Sequence, residues 1–265
     1  MNIEYKTFRT DSDCNRDAAN ALDEVMKNEA PEKSYSQMIR FRLAGHAVKE
    51  CRDTYFIAMD GAVSVSRLWH GWGMHPDSIG NFGNFRTADS YQRMGIGRKL
   101  LELWFYDLTH CRDLPLGLFC TASQPHLVRL YEKYGFRLAL KGSEVGPLYC
   151  PLGNSPDTFQ QFCERYYAPN DSKLRFVPCT TGYRHEIDCL LKFALMDCGE
   201  NFGLPTFPSC EAAILALAKS PELGVLERIV TDQGHTVGWA YTGQGKSREI
   251  QLHPQFRECE IISSN

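Results

Sequence analysis

The segment with the clearest capacity for chemistry is Gln92-Arg93-Met94-Gly95-Ile96-Gly97, which runs into a predicted amphipathic helix beginning near Arg98. The first turn of a helix leaves backbone N–H groups without partners, and the helix dipole favours an anion beside them. Gly95 and Gly97 allow the backbone to approach a ligand without an intervening Cβ atom. Local positive charge is added by Arg93, Arg98 and Lys99. The segment therefore predicts a site for a phosphate-bearing ligand.

Two common nucleotide sites do not fit this segment. A Walker A loop needs Lys-Ser/Thr directly after its last glycine, whereas Gly97 is followed by Arg98-Lys99. A Rossmann site needs a third glycine where this chain has Leu100, and a crossover helix where it has a predicted hairpin. Nucleoside triphosphate hydrolysis and dinucleotide binding are therefore disfavoured.

A second motif, Leu130-Tyr131-Glu132-Lys133-Tyr134-Gly135-Phe136, follows after one predicted helix and one predicted strand. Together with the pattern Gln/Arg-x-x-Gly-x-Gly/Ala at residues 92–97, it resembles the GNAT superfamily of acyl-CoA-dependent N-acyltransferases. The resemblance covers roughly residues 1–145 and is strongest over residues 85–137. It implies acetyl-CoA as co-substrate and no metal.

The resemblance also implies a role for each matching position. The backbone from Met94 to Arg98 would hold the pyrophosphate of coenzyme A, and the strand end near Thr87 would bind its pantetheine arm. Tyr131 would protonate the departing thiolate as a general acid while the amine attacks the thioester directly. The implied coenzyme A-binding set is Arg86, Thr87, Ala88, Gln92, Arg93, Met94, Gly95, Ile96, Gly97, Arg98, Lys99 and Ser123.

The general base is not evident from the sequence. Where several family members have a glutamate on the strand before the loop, this chain has Asn81-Phe82-Gly83. His75, Asp77, Asp89 and a chain of water molecules are the alternatives.

Several of these residues also have a purely structural interpretation. Tyr131 shares its predicted helix face with Leu127 and Tyr134, as a core aromatic would. His70 and His75 lie in the Gly- and Trp-rich stretch at residues 69–77, where no Cys or carboxylate completes a zinc spacing. That stretch is predicted to be a loop lining the acceptor cleft. Cys120 is predicted to be a buried thiol rather than a nucleophile.

The elements that must position these residues follow from periodicity and turn signals. Asp60-Gly61 between two apolar runs predicts a β-hairpin. Strands are predicted at residues 3–8, 54–59, 62–68, 79–87, 116–121 and 137–140, and helices at 18–27, 35–50, 98–110 and from 125 to Gly135. The fold class is therefore mixed α/β. In the GNAT type, a mostly antiparallel sheet is flanked by helices.

The second half of the chain repeats the beginning of the first. Strands at 174–180, 224–230, 236–241 and 249–253, with helices at 183–196 and 210–220, follow the element order of residues 3–87. We therefore predict a domain at residues 1–152 and a degenerate, partial GNAT-like domain at 153–265. In this copy Glu260 takes the place of Gly95, and a carboxylate there would repel a phosphate. The second copy is therefore not expected to bind coenzyme A, and would close the sheet, the acceptor site or an oligomer interface.

The composition limits the partners and the compartment. The 265 residues include 29 Lys+Arg and 32 Asp+Glu, so the formal charge is −3, which argues against a nucleic-acid-binding protein. No stretch approaches the length of a membrane span. The 11 cysteines form no Cys-x-x-Cys pair and are interpreted as reduced thiols. A cytoplasmic protein without nucleic-acid or membrane partners is expected.

The sequence thus favours an acetyl-CoA-dependent N-acetyltransferase acting on an unidentified, small-molecule amine, with a homodimer as a candidate assembly. A catalytically silent regulator or scaffold that binds coenzyme A or acyl-CoA is the alternative, because no general base is evident. Transfer of a longer or branched acyl group is a further option.

Overall fold

A computed structural model of the protein describes residues 2–12, 14–29, 31–156, 158–168 and 173–262. The chain divides into two compact units, Met1–Leu118 and Phe119–Asn265. This division falls within one strand, Gly117–Ala122. The predicted domain boundary between residues 152 and 153 stays a prediction.

The first unit is built on an antiparallel sheet. Its strands are β1 (Ile3–Arg9), β2 (Cys51–Asp60), β3 (Val63–Gly73) and β4 (Gly80–Thr87), paired in chain order, and β5 (Gly117–Ala122) begins in this unit. The helices are α1 (Arg16–Glu29), α2 (Ser34–Leu43) and α3 (Ile96–His110). These elements agree with the predicted order.

Side chains alternate between the two faces of this sheet along each strand. Helices pack on both faces. Tyr55 and Ile57 pack in one core with the buried residues of α1 and α2. Phe56 and Phe82 belong to the opposite side, where Phe82 lies 4.6 Å from the ring of Trp104 in α3. Helix α3 is thereby held against the middle of the sheet.

The hairpin is confirmed, but its turn is displaced by one residue. Asp60 pairs with Val63, so the two-residue loop is Gly61-Ala62 rather than Asp60-Gly61. Gly61 has φ +59°, whereas Ala62 is not among the residues with positive φ. A glycine at the first central position is typical of a type II′ turn.

Three local predictions for this unit are wrong. The stretch at residues 69–77 is not a loop throughout, because β3 continues to Gly73 and pairs along its whole length with β2. The helix predicted at 35–50 ends at Leu43 and is followed by turns. The spacing of Leu100, Leu101, Trp104, Phe105 and Leu108 predicts one apolar face for α3, but Phe105 is 41% exposed.

The second unit contains the end of β5 and a second sheet. Its helices are α4 (Pro125–Glu132), α5 (Phe159–Tyr166), α6 (Lys192–Asp197) and α7 (Cys210–Lys219), with a π-helix at Glu186–Leu191 before α6. Its further strands are β6 (Arg137–Leu138), β7 (Gly146–Pro151), β8 (Leu174–Pro178), β9 (Gly224–Val230), β10 (Thr236–Gly243), β11 (Arg248–Leu252) and β12 (Ile261–Ile262). The sequence did not predict β7, α5 or β12.

The second sheet has the order β11-β10-β9-β8-β12. Strands β8 to β11 pair antiparallel in chain order, as β1 to β4 do, whereas β12 joins β8 in parallel. The predicted fold class is confirmed: a mixed α/β protein in which a helix-flanked sheet is followed by a second sheet. Among the described residues, no helix combines the length and apolar character that a membrane crossing requires.

Candidate functional site

The candidate site is the turn between β4 and α3 in the first unit. Gly95 is the N-cap of α3 and has φ +79°, and Arg93 is also left-handed, with φ +62°. A Cβ atom on Gly95 would meet nothing within 4 Å, so the turn is open on that side. The amides of Ile96, Gly97 and Arg98 belong to the helix turn that has no intrahelical acceptors. This geometry can present several N–H groups to one anion.

Gly97 has a packing role beside the ligand-binding role that is expected of it. A Cβ atom there would lie 3.0 Å from Cζ of Phe85 and 3.3 Å from Oγ1 of Thr87, both on β4. The missing side chain therefore lets the start of α3 pack closely on β4.

The loop is closed by its own polar side chains. Gln92 donates from Nε2 to Oδ1 of Asp89 at 2.8 Å and to the carbonyl of Thr87 at 3.3 Å. Tyr91 donates its hydroxyl to Asp60 at 2.9 Å. Gln92 thus holds the shape of the loop, and Asp89 takes part in the same contacts.

Strand β4 carries a β-bulge directly before the loop. Arg67 of β3 pairs with Arg86, whereas Trp69 pairs with Gly83, so β4 has one extra residue in this interval. Asn84 lies in the bulge with φ +51° and accepts a hydrogen bond from Nε of Arg67 at 3.0 Å. Bulges redirect the backbone and are frequent beside active sites. The sequence analysis missed it, although the Gly83-Asn84 pair inside a strand was an available signal.

At the end of β4, part of the backbone is already used by β3. The carbonyl of Arg86 accepts from the hydroxyl of Ser66 at 3.1 Å, and the amide of Ala88 donates to Val65 at 2.9 Å. The hydroxyl of Thr87 is 2.8 Å from that of Ser66. The Ala88 amide is therefore not available as a donor to a ligand.

Acidic partners partly offset the positive charge of the turn. Arg98 and Lys99 both contact Glu102, at 3.0 and 3.8 Å. These are exposed ion pairs, which contribute little. The strongest fixed attraction for an anion is therefore the backbone at the start of α3, with exposed cationic side chains around it.

Glu29, at the end of α1, is a residue of this region that sequence reasoning missed. Its two carboxylate oxygens accept hydrogen bonds from the two terminal nitrogens of Arg67, one of them at 3.2 Å. Nη1 of Arg86 lies 3.4 Å from Oε2 of Glu29. Because both oxygens are occupied by guanidinium groups, Glu29 orients Arg67 and Arg86 and is poorly placed to accept a proton.

Two of the other base candidates lie far from the turn. His75 and Asp77 precede β4, whose eight residues span roughly 25 Å. His75 contacts the carbonyl of Pro76 through Nδ1 at 2.9 Å. They lie at the opposite end of β4 from the loop, which disfavours both as bases.

Tyr131 and Ser123 lie in the second unit. Ser123 is exposed between β5 and α4. Tyr131 is buried on α4 with its ring 5.9 Å from that of Phe136. Burial, and secondarily the neighbouring Cys120, raises the pKa of Tyr131 well above its ordinary value. The hydroxyl is thus protonated at neutral pH, as a general acid requires, while the burial also suits a core aromatic.

Cys120 lies near this motif and fits the predicted buried thiol better than a nucleophile. Cys120 is buried, and its burial raises the pKa of the thiol well above the ordinary value, so it is not a thiolate at neutral pH. Within the described ranges, no group of three or more His, Cys, Asp or Glu residues is arranged to bind a metal ion.

Comparison with known families identifies one match. Residues 51–138 match the family described as "Acetyltransferase (GNAT) domain". This interval contains β2 to β5, the bulge, the loop, α3, α4 and Tyr131. No curated protein matches the chain.

Among solved structures, an acyl-CoA N-acyltransferase from Pseudomonas aeruginosa is 14% identical, with 56% of this chain and 99% of that chain covered and a TM-score of 0.40. A GNAT-family acetyltransferase from Staphylococcus aureus is 13% identical, with 57% and 100% covered and a TM-score of 0.40. Arabidopsis thaliana NAA60, in complex with a bisubstrate analogue, is 11% identical, with 58% and 100% covered and a TM-score of 0.40.

Proposed function

Because residues 51–138 match the GNAT acetyltransferase family, we propose that this chain transfers an acetyl group from acetyl-CoA to the amine of a small molecule. The proposal includes a cytoplasmic location and a homodimer as candidate assembly. In this proposal the second sheet has no role in coenzyme A binding.

The observation that carries the proposal is the open, left-handed turn at Gly95. It places the first three amides of α3, which have no intrahelical acceptors, at the end of a bulged strand. The shape fits a pyrophosphate, which can accept several N–H bonds at a helix N-terminus. Residues 94–98 would hold the pyrophosphate, and the end of β4 at residues 86–88 would bind the pantetheine arm.

In this proposal acetyl-CoA supplies an activated acyl carbon in the form of a thioester. The acceptor nitrogen attacks that carbon, the C–S bond breaks, and the thiolate takes a proton from Tyr131. The amine loses a proton to Asp89 or to water. Binding both reactants in the reactive orientation lowers the activation barrier, because their translational and rotational entropy is lost on binding rather than in the reaction step.

Isothermal titration with acetyl-CoA tests the binding step. We expect Gly95→Ala to weaken binding at least tenfold, because a Cβ atom would project from the left-handed turn towards the ligand. Gly45→Ala is the matched control, since Gly45 is in the same unit, has φ +84° and also has nothing within 4 Å of a Cβ position. Both variants carry a similar backbone strain of about 1–2 kcal/mol.

Equal affinity of Gly95→Ala and the wild-type protein for acetyl-CoA would contradict the placement of the pyrophosphate at this turn. No acetyl-CoA binding by the wild-type protein would contradict the proposal as a whole.

The engaged carboxylate of Glu29 favours a second candidate, a regulator that binds acetyl-CoA without turnover. Release of free thiol from acetyl-CoA over a panel of amines separates the two. An enzyme turns over with at least one amine, whereas a regulator binds acetyl-CoA but releases no thiol. The same assay with longer acyl-CoA donors tests acyl chain length.

A further inference from the structure

A pocket of about 360 Å³ lies in the first unit at the C-terminal end of α3. Its lining includes Arg9, Arg52, His70, Trp72, Tyr106 and Asp107. Helix α3 has 15 residues, so roughly 20 Å separates this pocket from the turn at Gly95. It is therefore distinct from the proposed acetyl-CoA site, and its volume is in the range of small-molecule sites.

His70 is the buried polar group of the pocket, with 1% of its surface exposed. Its Nδ1 is 3.1 Å from Nε1 of Trp104. An indole nitrogen can only donate, so Nδ1 of His70 must be the acceptor. In the neutral ring the hydrogen is then on Nε2. The Trp104 contact thus fixes the tautomer.

The Nε2–H group of His70 has no hydrogen-bond acceptor among the described residues. Asp107 is the nearest carboxylate, with Oδ2 3.6 Å from Nε2, which is longer than a hydrogen bond. The other oxygen of Asp107 is paired with Arg9. A buried donor without an acceptor is costly, and an acceptor on a ligand would remove that cost.

Two arginines, Arg9 and Arg52, and two aspartates, Asp11 and Asp107, line the pocket. Arg9 is already paired with Asp107, so Arg52 is the cation considered for an anionic acceptor. Among the described residues, Arg52 forms its ion pair with Asp113 at 3.2 Å, and this aspartate side chain is 77% exposed. Such a solvent-exposed pair is weak and can be exchanged for a ligand. Burial, and secondarily the charge of Arg9, lowers the pKa of His70 to about 3. His70 therefore remains a neutral donor at physiological pH.

Aromatic rings form a further part of the lining, beside Asp11, Thr54 and Cys111. The rings of His70 and Trp72 are 4.8 Å apart, and Tyr106 stacks on His110 at 4.0 Å. Such walls suit a compact organic body more than a bare inorganic ion.

We propose that this pocket binds a small organic carboxylate, whose oxygens accept a hydrogen bond from Nε2 of His70 and pair with Arg52. The site does not depend on the acetyltransferase reaction. A carboxylate can replace Asp113 as the partner of Arg52 and supply the acceptor that His70 lacks.

The test uses the full chain and three carboxylates of increasing size: acetate, benzoate and phenylacetate. Each is compared with its neutral amide, which has nearly the same shape but no charge. Long-range ¹H–¹⁵N spectra of the histidine rings follow Nε2 of His70, assigned with the variant His70→Gln. We expect at least one carboxylate to shift this signal in a saturable way, with at least tenfold weaker binding of the matching amide.

Arg52→Gln provides a second variant that does not disturb the core, because Arg52 lies at the rim. It should weaken binding of the carboxylate at least fivefold. Arg40→Gln is the control, since Arg40 is a partly exposed arginine of the same unit that pairs with Asp23 outside the pocket.

The proposal is overturned if none of the three carboxylates shifts the His70 signal, or if each amide binds as well as its carboxylate. It is also overturned if Arg52→Gln and Arg40→Gln change the affinity equally, because the effect would then be one of net charge. The proposal is supported if Arg52→Gln weakens or abolishes the carboxylate-induced shift of the His70 signal and Arg40→Gln does not.

Discussion

Single residues of the loop illustrate how similar sequence features serve different physical purposes. Gly95 is left-handed and faces open space, so it meets a conformational demand and leaves room for a ligand. Gly97 is not left-handed, and it allows helix α3 to contact Phe85 and Thr87. The ligand-facing role that the sequence assigns to both glycines is therefore supported by the geometry of Gly95 alone.

Tyr131 is the residue on which the proposed chemistry depends. We expect Tyr131→Phe to lower kcat by about 10²–10³-fold, within the range of general acid catalysis, with little change in acetyl-CoA affinity. The measurement is thiol release at saturating acetyl-CoA, with an amine acceptor found in the panel. Because the pKa of this tyrosine is raised, the rate should not fall through loss of its proton below pH 9.

Tyr134→Phe is the matched control for this experiment, since it removes a hydroxyl three positions along the chain from Tyr131 and should leave kcat within twofold. Unchanged thiol release by Tyr131→Phe would contradict the general-acid role and leave Tyr131 as a core aromatic.

His70 gives a prediction on pH dependence. Its pKa is lowered from 6.5 to about 3 in the folded protein, so below pH 6.5 the unfolded chain binds a proton that the folded chain does not. Stability should therefore fall with decreasing pH through this window, by roughly 1.4 kcal/mol per pH unit for this group.

Histidine ring spectra recorded between pH 8 and pH 4.5 check this behaviour: His70 should keep its neutral pattern throughout. Denaturant unfolding of His70→Gln should show a flatter pH dependence than the wild-type protein, with the exposed His126→Gln as control. A midpoint for His70 near pH 6.5 would contradict the burial argument.

Whole elements differ in how far the sequence determines them. The β2–β3 hairpin and helix α3 depend on local signals, a glycine turn and an apolar face, and both are predicted close to their observed positions. The length of β3 is not local, because Trp69 to Gly73 become a strand by pairing with β2. The bulge at Asn84 likewise depends on Arg67 of the neighbouring strand. The loop was therefore predictable from the sequence, whereas the Gly83-Asn84 pair indicates a bulge without fixing its register against β3.

Helix α5 was missed although its start carries a local signal. Thr158 accepts a hydrogen bond from the amide of Gln161 at 3.2 Å, and the Gln161 side chain contacts the Thr158 amide at 3.3 Å. This Thr-x-x-Gln pattern is a capping box. Pro151, Gly153 and Pro156 directly before it favour an irregular connection, so the composition and the capping box point to different structures.

The capping box leads to a prediction about this element. Thr158→Ala should lower the free energy of unfolding of the second unit by about 1 kcal/mol, because one amide of the first turn loses its acceptor. Thr180→Ala is the control, since Thr180 precedes a short 3₁₀ helix without a side-chain cap. Chemical denaturation followed by tyrosine and tryptophan fluorescence measures both, and equal losses would contradict the capping role.

At the scale of the molecule, the net charge of −3 does not prevent a local anion site. The turn at Gly95 relies on backbone amides, whose partial charges do not enter the formal charge count. Composition therefore excludes a broad basic surface but says little about a single phosphate site.

The aromatic core of the second unit includes residues from both sides of the predicted domain boundary. Phe119 and Tyr149 are fully buried, and their rings lie 5.1 Å apart. Phe159 and Phe162 of α5 and Phe193 of α6 surround them, at centroid distances of 5.5 to 6.3 Å. Residues on both sides of the predicted boundary at 152 and 153 thus share one core.

We therefore expect a chain ending at Leu152 to lose cooperative folding, because removing α5 and Phe193 exposes Phe119 and Tyr149. Each exposed aromatic side chain costs roughly 2–3 kcal/mol, a large part of the stability of a small domain. The truncated chain should bind a hydrophobic dye and lack a sharp thermal transition, whereas full-length Phe162→Ala should stay folded with a loss of about 3–5 kcal/mol. A cooperatively folded 1–152 chain without dye binding would instead establish the boundary at residue 152.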